Sequence, residues 1–156
     1  MTGTWMFLGV QVDVLTDADA PVTVAEGVLP LGASPPLHVH DDLDDSFYVL
    51  DGRMVVRCGN DVFLATSGTW VQFPKRVPHT FRVLDGPARV LMVNSNDSFI
   101  GAVRAIGHPA TPGEAPTTAG GPPIEDLDRA FAAHGITNVG PPMQQDEAEE
   151  LLRSLV

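Results

Sequence analysis

Cysteine, basic residues and long apolar runs are all scarce in this chain of 156 residues. The single cysteine, Cys58, excludes an internal disulfide framework, so the fold depends on a hydrophobic core. Hydrophobic residues make up 44% of the sequence, which favours one globular domain over a disordered chain. Cys58 lies in an apolar stretch with no base beside it in sequence, and we interpret it as a structural residue.

Positive charge is also scarce, because 9 Lys and Arg stand against 20 Asp and Glu, for a net charge of -11. Such a chain repels phosphate backbones and anionic lipid surfaces, so we expect neither a nucleic-acid nor a membrane partner. The N-terminal stretch has no basic region and no small-residue cleavage site. No segment approaches the roughly 18 consecutive apolar residues of a membrane-spanning helix. These absences predict a cytoplasmic protein.

Short apolar runs alternate with turn signals between Val10 and Val93. This spacing is typical of an all-β sandwich or barrel, and no helical period of comparable length competes with it. Asp51-Gly52 and Gly59-Asn60 predict two hairpin turns, and residues 85–87 predict another turn.

The composition changes after Ile106, where residues 107–123 are rich in Pro, Gly and Thr and predict an extended arm. Pro123 and Gly135 bracket a first short amphipathic helix, and residues 144–156 predict a second. We therefore expect a β-barrel domain over residues 1–106. Residues 107–156 would form an arm and helices that pack on the barrel or on a second subunit.

Two histidines one residue apart, His38 and His40, project to the same face of a strand, roughly 7 Å apart. Asp45 opens the next strand, and His79 begins a later one. Three neutral imidazoles and a carboxylate suffice to bind a divalent transition metal and leave positions for water, substrate or dioxygen. These four residues are the predicted metal ligands.

The other histidines and the neighbouring carboxylates have simpler interpretations. His108 lies in the predicted arm, and His134 lies in the last turn of a predicted helix, where a cation complements the helix dipole. Neither is a predicted ligand. Asp41 and Asp42 are interpreted as part of a solvated loop.

The joint spacing resembles the two motifs of the cupin superfamily. The first motif is matched by Gly32, His38, His40, Asp45 and Gly52. The second is matched by Gly68, Pro74 and His79. Stretches such as PPLHVH, FYVLDG and PKRVPHTF resemble the small single-domain cupins grouped with quercetin 2,3-dioxygenases. That resemblance implies a jelly-roll barrel (a double-stranded β-helix), commonly a homodimer, with one divalent metal ion inside each barrel.

Carried over by position, the resemblance makes His38, His40 and His79 the imidazole ligands and puts Asp45 in the place of a glutamate. Asp45 is shorter than glutamate by one C–C bond, about 1.5 Å. It would therefore bind the metal directly, bind through water, or act as a base. Arg76 stands where the family has glycine, which predicts an altered turn before His79. Val83 replaces the asparagine of the second motif.

The implied function is that of a quercetinase-like dioxygenase acting on an enolisable aromatic or polyketide-like small molecule. The metal would be iron, nickel, manganese or cobalt, and Asp45 would accept the substrate proton. Phe47, Phe73 and Phe81 are predicted to line an apolar substrate pocket. Val49 is interpreted as barrel core, and Tyr48 is predicted to pack outside the barrel, against the arm or a helix.

Two alternatives stay open at this point. A zinc-dependent cyclase or isomerase would use the metal as a Lewis acid, with an unligated Asp45 as proton shuttle. A non-catalytic small-molecule-binding cupin would keep the fold without the reaction. Metal identity separates the first alternative from the dioxygenase, and fold alone decides none of the three.

Overall fold

A computed structural model describes residues 2–118 and 123–156 of the chain. In these residues the strands are β1 (Gly3–Phe7), β2 (Val10–Val14), β3 (Thr23–Leu29), β4 (Pro36–His40), β5 (Asp45–Cys58), β6 (Asp61–Thr66), β7 (Trp70–Phe73), β8 (His79–Asn94), β9 (His108–Pro109) and β10 (Ile136–Pro142). The helices are α1 (Ser98–Ile106), α2 (Ile124–Ala132) and α3 (Gln145–Ser154). The predicted all-β class is confirmed, and the strands form an antiparallel jelly-roll barrel.

The barrel is organised around its two longest strands, β5 and β8. The strand order β10-β4-β8-β3-β2-β1-β9 runs through β8, while β5 pairs with β6, β7 and β8. Each long strand thus belongs to both halves of the barrel. The pairing of β4 with β8 sets His38 directly opposite His79, which brings the two predicted motifs together.

Two of the predicted turns are wrong, because β5 runs without interruption through Asp51-Gly52 and β8 runs through residues 85–87. Both strands bend at these places instead. The register of β5 against β8 shifts between Val49 and Met54. Gly52 has φ +92°, and a Cβ on it would lie 2.9 Å from Ala88 Cα, so a glycine is required where the backbones meet. The turn at Gly59-Asn60 is confirmed between β5 and β6.

The core fills the barrel with alternate side chains of the long strands. Phe47, Val49, Val83 and Val90 are all at most 5% exposed. Tyr48 has the opposite parity and points outward as predicted. It is nevertheless 39% exposed and pairs with the exposed Trp70 of β7, so its outer face is open to solvent rather than covered by the arm or a helix.

The C-terminal part contains the two predicted helices, α2 and α3, which are confirmed. Nothing in the sequence pattern predicts α1 or β10. β10 pairs antiparallel with β4 and extends the sheet beside the histidines, while α3 packs on the outer face of β5 and β6. Residues 119–122 of the predicted arm lie outside the described residues, and the boundary at residue 106 stays a prediction. None of the described helices has the length and apolar character needed to span a membrane.

Candidate metal centre

Three histidines from two neighbouring strands converge inside the barrel. β4 carries His38 and His40 on one face, and β8 begins with His79. Their ring centroids are 4.3 Å apart for His38 and His79, 5.2 Å for His38 and His40, and 5.4 Å for His40 and His79. One nitrogen from each ring lies within 4.8 Å of the other two. The predicted convergence of the imidazoles is thus present in the structure.

The hydrogen bonds of the rings leave nitrogens available for an ion. His38 Nδ1 lies 2.7 Å from the Pro36 carbonyl, and His79 Nδ1 lies 3.1 Å from the Val77 carbonyl. A carbonyl only accepts, so both Nδ1 atoms carry the proton and both Nε2 atoms keep a lone pair. Across the described chain, His79 Nε2 and His40 Nδ1 are buried without a hydrogen-bond partner. Such orphaned nitrogens fit a divalent transition metal.

Burial also keeps the three imidazoles neutral. Desolvation, and to a smaller extent the neighbouring His38, lower the pKa of His40 and of His79 to about 3. The pKa of His38 is lowered by the same desolvation, against the hydrogen bond to Pro36. Neutral imidazole is the form that binds a metal, so the site is ready to bind at neutral pH without losing protons.

Asp45 does not join this group of nitrogens, although it lies in the same cavity. Desolvation raises the pKa of its carboxyl group to about 7, against a lowering by the Ser46 backbone. With its amide nitrogen turned toward Asp45, Asn94 donates to Asp45 Oδ1 at 2.6 Å. Direct ligation by Asp45 therefore stays a prediction, and the role of a proton acceptor is open to it.

Asn94 is the polar site residue that motif spacing misses. It ends β8 and is 1% exposed. Val90 and Met92 precede it at the same parity and are also buried. An asparagine in line with inward-facing apolar positions was the available signal, since a buried amide needs a hydrogen-bond partner.

The turn before His79 places a non-glycine residue in the left-handed region, and an alteration of this turn relative to the family stays a prediction. Arg76 has φ +64°. Its amide donates to the His40 carbonyl at 2.8 Å, and its Nε donates to the Asp41 carbonyl at 3.3 Å. These bonds offset the strain of a non-glycine residue at positive φ. The loop that carries His79 is thereby tied to the strand that carries His40.

The histidines open into one cavity of about 450 Å³. The cavity is lined by Phe47, Phe73 and Phe81, the three positions predicted from the sequence. The Phe73 ring stacks on His79 with centroids 4.3 Å apart. The cavity walls also include α2, β10 and the turn between β1 and β2. A volume of this size with few polar groups suits an organic molecule of moderate size. Contact of these phenylalanines with a substrate stays a prediction.

An antiparallel jelly-roll barrel with three inward histidines defines a β-barrel protein with a site that could hold a metal ion. The family comparison makes the class specific: residues 25–94 match the family model described as Cupin_2, cupin domain. Those residues are therefore a cupin domain, and the resemblance predicted from the two motifs is confirmed.

The similar proteins are distant. The chain is 28% identical over 85 residues to quercetin 2,3-dioxygenase of Bacillus subtilis (strain 168), a stretch that covers 54% of this chain and 25% of that protein. The chain thus spans about a quarter of the length of this relative. Among solved structures, KdgF from Halomonas sp. has a TM-score of 0.52 at 19% identity, covering 58% of this chain and 83% of that one. The Cnp3 cupin domain of Schizosaccharomyces pombe has a TM-score of 0.51 at 17% identity, covering 63% and 72%. These likenesses show the fold.

Proposed function

We propose that this cupin is a metal-dependent enzyme, a quercetinase-like dioxygenase that acts on an enolisable aromatic or polyketide-like small molecule. The observation that carries the proposal is the group of three neutral imidazoles at the wall of an apolar cavity. The distant similarity to quercetin 2,3-dioxygenase supports the oxidative reading. His38, His40 and His79 would hold the ion.

A bound iron, nickel, manganese or cobalt ion would supply open coordination positions for an enolate and dioxygen. The chain's own residues would orient the substrate and move its proton. Phe47, Phe73 and Phe81 would exclude water around the substrate ring. Asp45, whose pKa of about 7 lies near neutral pH, would accept the enol proton, and Asn94 would hold its carboxyl group in place.

The position of Asp45 also favours a second candidate, a zinc-dependent cyclase or isomerase. Its carboxyl group lies outside the group of imidazole nitrogens, and its raised pKa suits a group that takes a proton and returns it. Such a reaction needs no dioxygen. The two candidates therefore differ in the metal and in oxygen consumption.

Elemental analysis of untagged protein purified without chelator tests the proposal. We expect iron, nickel, manganese or cobalt in the native protein and oxygen uptake with quercetin or another flavonol. The His79→Ala variant should lose the metal, whereas His108→Ala, which changes an exposed histidine outside the site, should retain it. Zinc alone, with no oxygen uptake after metal exchange, would instead support the cyclase or isomerase. Unchanged metal content in His79→Ala would remove this site from consideration.

The oligomeric state, the compartment and the binding partner are proposed from the sequence analysis. We propose a homodimer in the cytoplasm whose partner is a small molecule. Light scattering of the purified protein measures the mass in solution, and a monomeric mass at micromolar concentration would contradict the dimer.

A further inference from the structure

The cavity has two separate aromatic ends. His38, His40, His79 and the phenylalanines around them form the histidine end. Phe7, which contacts Phe99 and Phe131 with ring centroids 5.7 Å and 6.3 Å apart, forms the other. In the described residues no ring pair links the two groups. We call the second group the hairpin end, because the turn between β1 and β2 closes it.

Leu8 in that turn destabilises the free protein in two ways, by backbone strain and by exposure of apolar surface. Its φ is +50°, a left-handed conformation that leucine rarely adopts. Its side chain is 36% exposed and lines the cavity. Glycine would relieve the strain, and a polar residue would avoid the exposure of apolar surface. Strain kept at the wall of a binding cavity points to a functional reason for the side chain.

The turn that carries Leu8 is hydrogen-bonded to the arm. Thr117 donates its amide to the Gly9 carbonyl at 3.0 Å. A Cβ on Gly9 would lie 1.7 Å from the Thr117 carbonyl oxygen, so the two backbones are in direct contact. The arm thus restrains the backbone of the turn that carries Leu8, and a restrained turn lowers the entropy cost of binding.

Most other walls of the hairpin end are apolar, with the polar Thr118 of the arm also in the cavity lining. Val10 flanks the turn, and Leu127 and Phe131 of α2 face the same cavity. All of these positions lie outside residues 25–94, the cupin domain that carries the histidines.

We infer that Leu8 is a substrate-contact residue, and that the substrate is an elongated molecule with metal-chelating oxygens at one end and an apolar body that reaches the hairpin end. The chelating oxygens would lie at the histidines, and the body would cover the exposed part of Leu8. This inference rests on the proposed metal site, and it narrows the substrate to molecules that span both ends of the cavity.

Hydroxamic acids of increasing tail length test the inference on the metal-loaded full chain. They chelate a divalent metal through two oxygens, so acetohydroxamate probes the histidine end alone and octanohydroxamate probes both ends. By calorimetry we expect octanohydroxamate to bind at least tenfold more tightly than acetohydroxamate, since each buried methylene contributes to affinity.

The Leu8→Asn variant separates contact from structure, because asparagine tolerates positive φ. We expect its affinity for octanohydroxamate to fall about fivefold or more, since an amide would face the tail. Affinity for acetohydroxamate should stay unchanged. The melting temperature should not fall. Leu31→Asn, at an exposed leucine that does not line the cavity, should behave like the native protein.

The binding data distinguish a failure of this inference from a failure of the proposed metal site. Equal affinity for the short and long hydroxamates in the native protein would overturn the inference and leave the metal site standing. An equal loss for both probes in Leu8→Asn, or a lower melting temperature, would overturn the contact role in favour of a structural one. Absence of acetohydroxamate binding to the metal-loaded protein would overturn the proposed metal site, and the inference with it.

Discussion

At the scale of single residues, Asp45 is a buried titratable residue whose carboxyl group has one neutral hydrogen-bond partner. Its carboxyl group is 7% exposed and receives a hydrogen bond from Asn94 in the orientation described above. No cation contacts it in the described residues, so desolvation dominates and the pKa rises to about 7. A group of this kind stabilises the metal-free fold only while it is protonated.

The pH dependence of stability follows from that raised pKa. Between the ordinary value of 3.8 and about 7, the unfolded chain has released the Asp45 proton and the folded chain retains it. The free energy of unfolding therefore falls as pH rises through this window. We expect Asp45→Asn to remove this loss, so that its advantage over the native metal-free protein grows by on the order of 2 kcal/mol between about pH 5 and about pH 8.

Urea unfolding of chelator-treated protein at both pH values measures this difference. Asp19→Asn, at an exposed carboxylate, is the matched control and should keep a constant difference from the native protein. If the difference in free energy of unfolding between Asp45→Asn and the native protein is the same at both pH values, the carboxyl group titrates as an ordinary aspartate. It would then be a poor candidate for the proton acceptor.

Arg76 gives a second prediction at this scale, because its φ of +64° is strained for any residue with a Cβ. Arg76→Gly should raise the free energy of unfolding by about 0.5–1 kcal/mol, since its lost bond to the Asp41 carbonyl is exposed. Lys75→Gly, one residue earlier and without positive φ, should lower it. Thermal unfolding compares the two, and a loss of stability in Arg76→Gly would mean that its side-chain contact outweighs the strain.

At the scale of elements, the cupin barrel is completed by segments from both ends of the chain. β10 pairs with β4, so Ile136 lies opposite His40 and Asn138 lies opposite His38. β9 pairs with β1, and the arm beyond it reaches the turn at Gly9. The strand β4, which holds two of the proposed ligands, is flanked by β10 on one side and by β8 on the other. The terminal segments shape the site as well as the outer surface.

Gly9 and Gly113 form a natural comparison of how the arm is fastened. Both have positive φ, at +82° and +80°, so alanine is strained at either. A Cβ on Gly113 has no atom within 4 Å, whereas on Gly9 it would overlap the Thr117 carbonyl. We expect Gly9→Ala to release the arm and speed amide exchange over residues 110–118, while Gly113→Ala affects stability alone. Equal exchange in the two variants would show that the arm is held elsewhere.

At the scale of the whole molecule, binding of the proposed metal would be coupled to folding. The three imidazoles approach one another only when β4 and β8 are paired, so the unfolded chain presents no preformed site. A metal that binds the folded state alone stabilises it by about 2.7 kcal/mol at a free concentration of 100 times the dissociation constant.

We therefore expect chelator treatment to lower the melting temperature and added divalent metal to restore it. His79→Ala should show no response to either treatment, and His108→Ala should respond like the native protein. Scanning calorimetry at constant pH measures the shifts. A melting temperature that chelator and metal leave unchanged would mean that the histidines hold no ion.

The sequence by itself determined the class of fold, the three converging histidines and the inward parity of Phe47 and Phe81. Strand alternation and motif spacing are local, so they can be read without knowing which strands pair. The helical spacing of apolar residues likewise predicted the two C-terminal helices.

Only the tertiary structure decided the rest. Gly52 reads as a turn in sequence, yet the contact with Ala88 makes it a bend within a long strand. Arg76 keeps a glycine conformation because His40 and Asp41 bind it across the barrel. β10 and the contact between Asn94 and Asp45 depend on residues distant in the chain. Pairing between remote segments supplies the burial and the hydrogen bonds that outweigh local conformational preferences. A local sequence pattern does not show which remote segments pair.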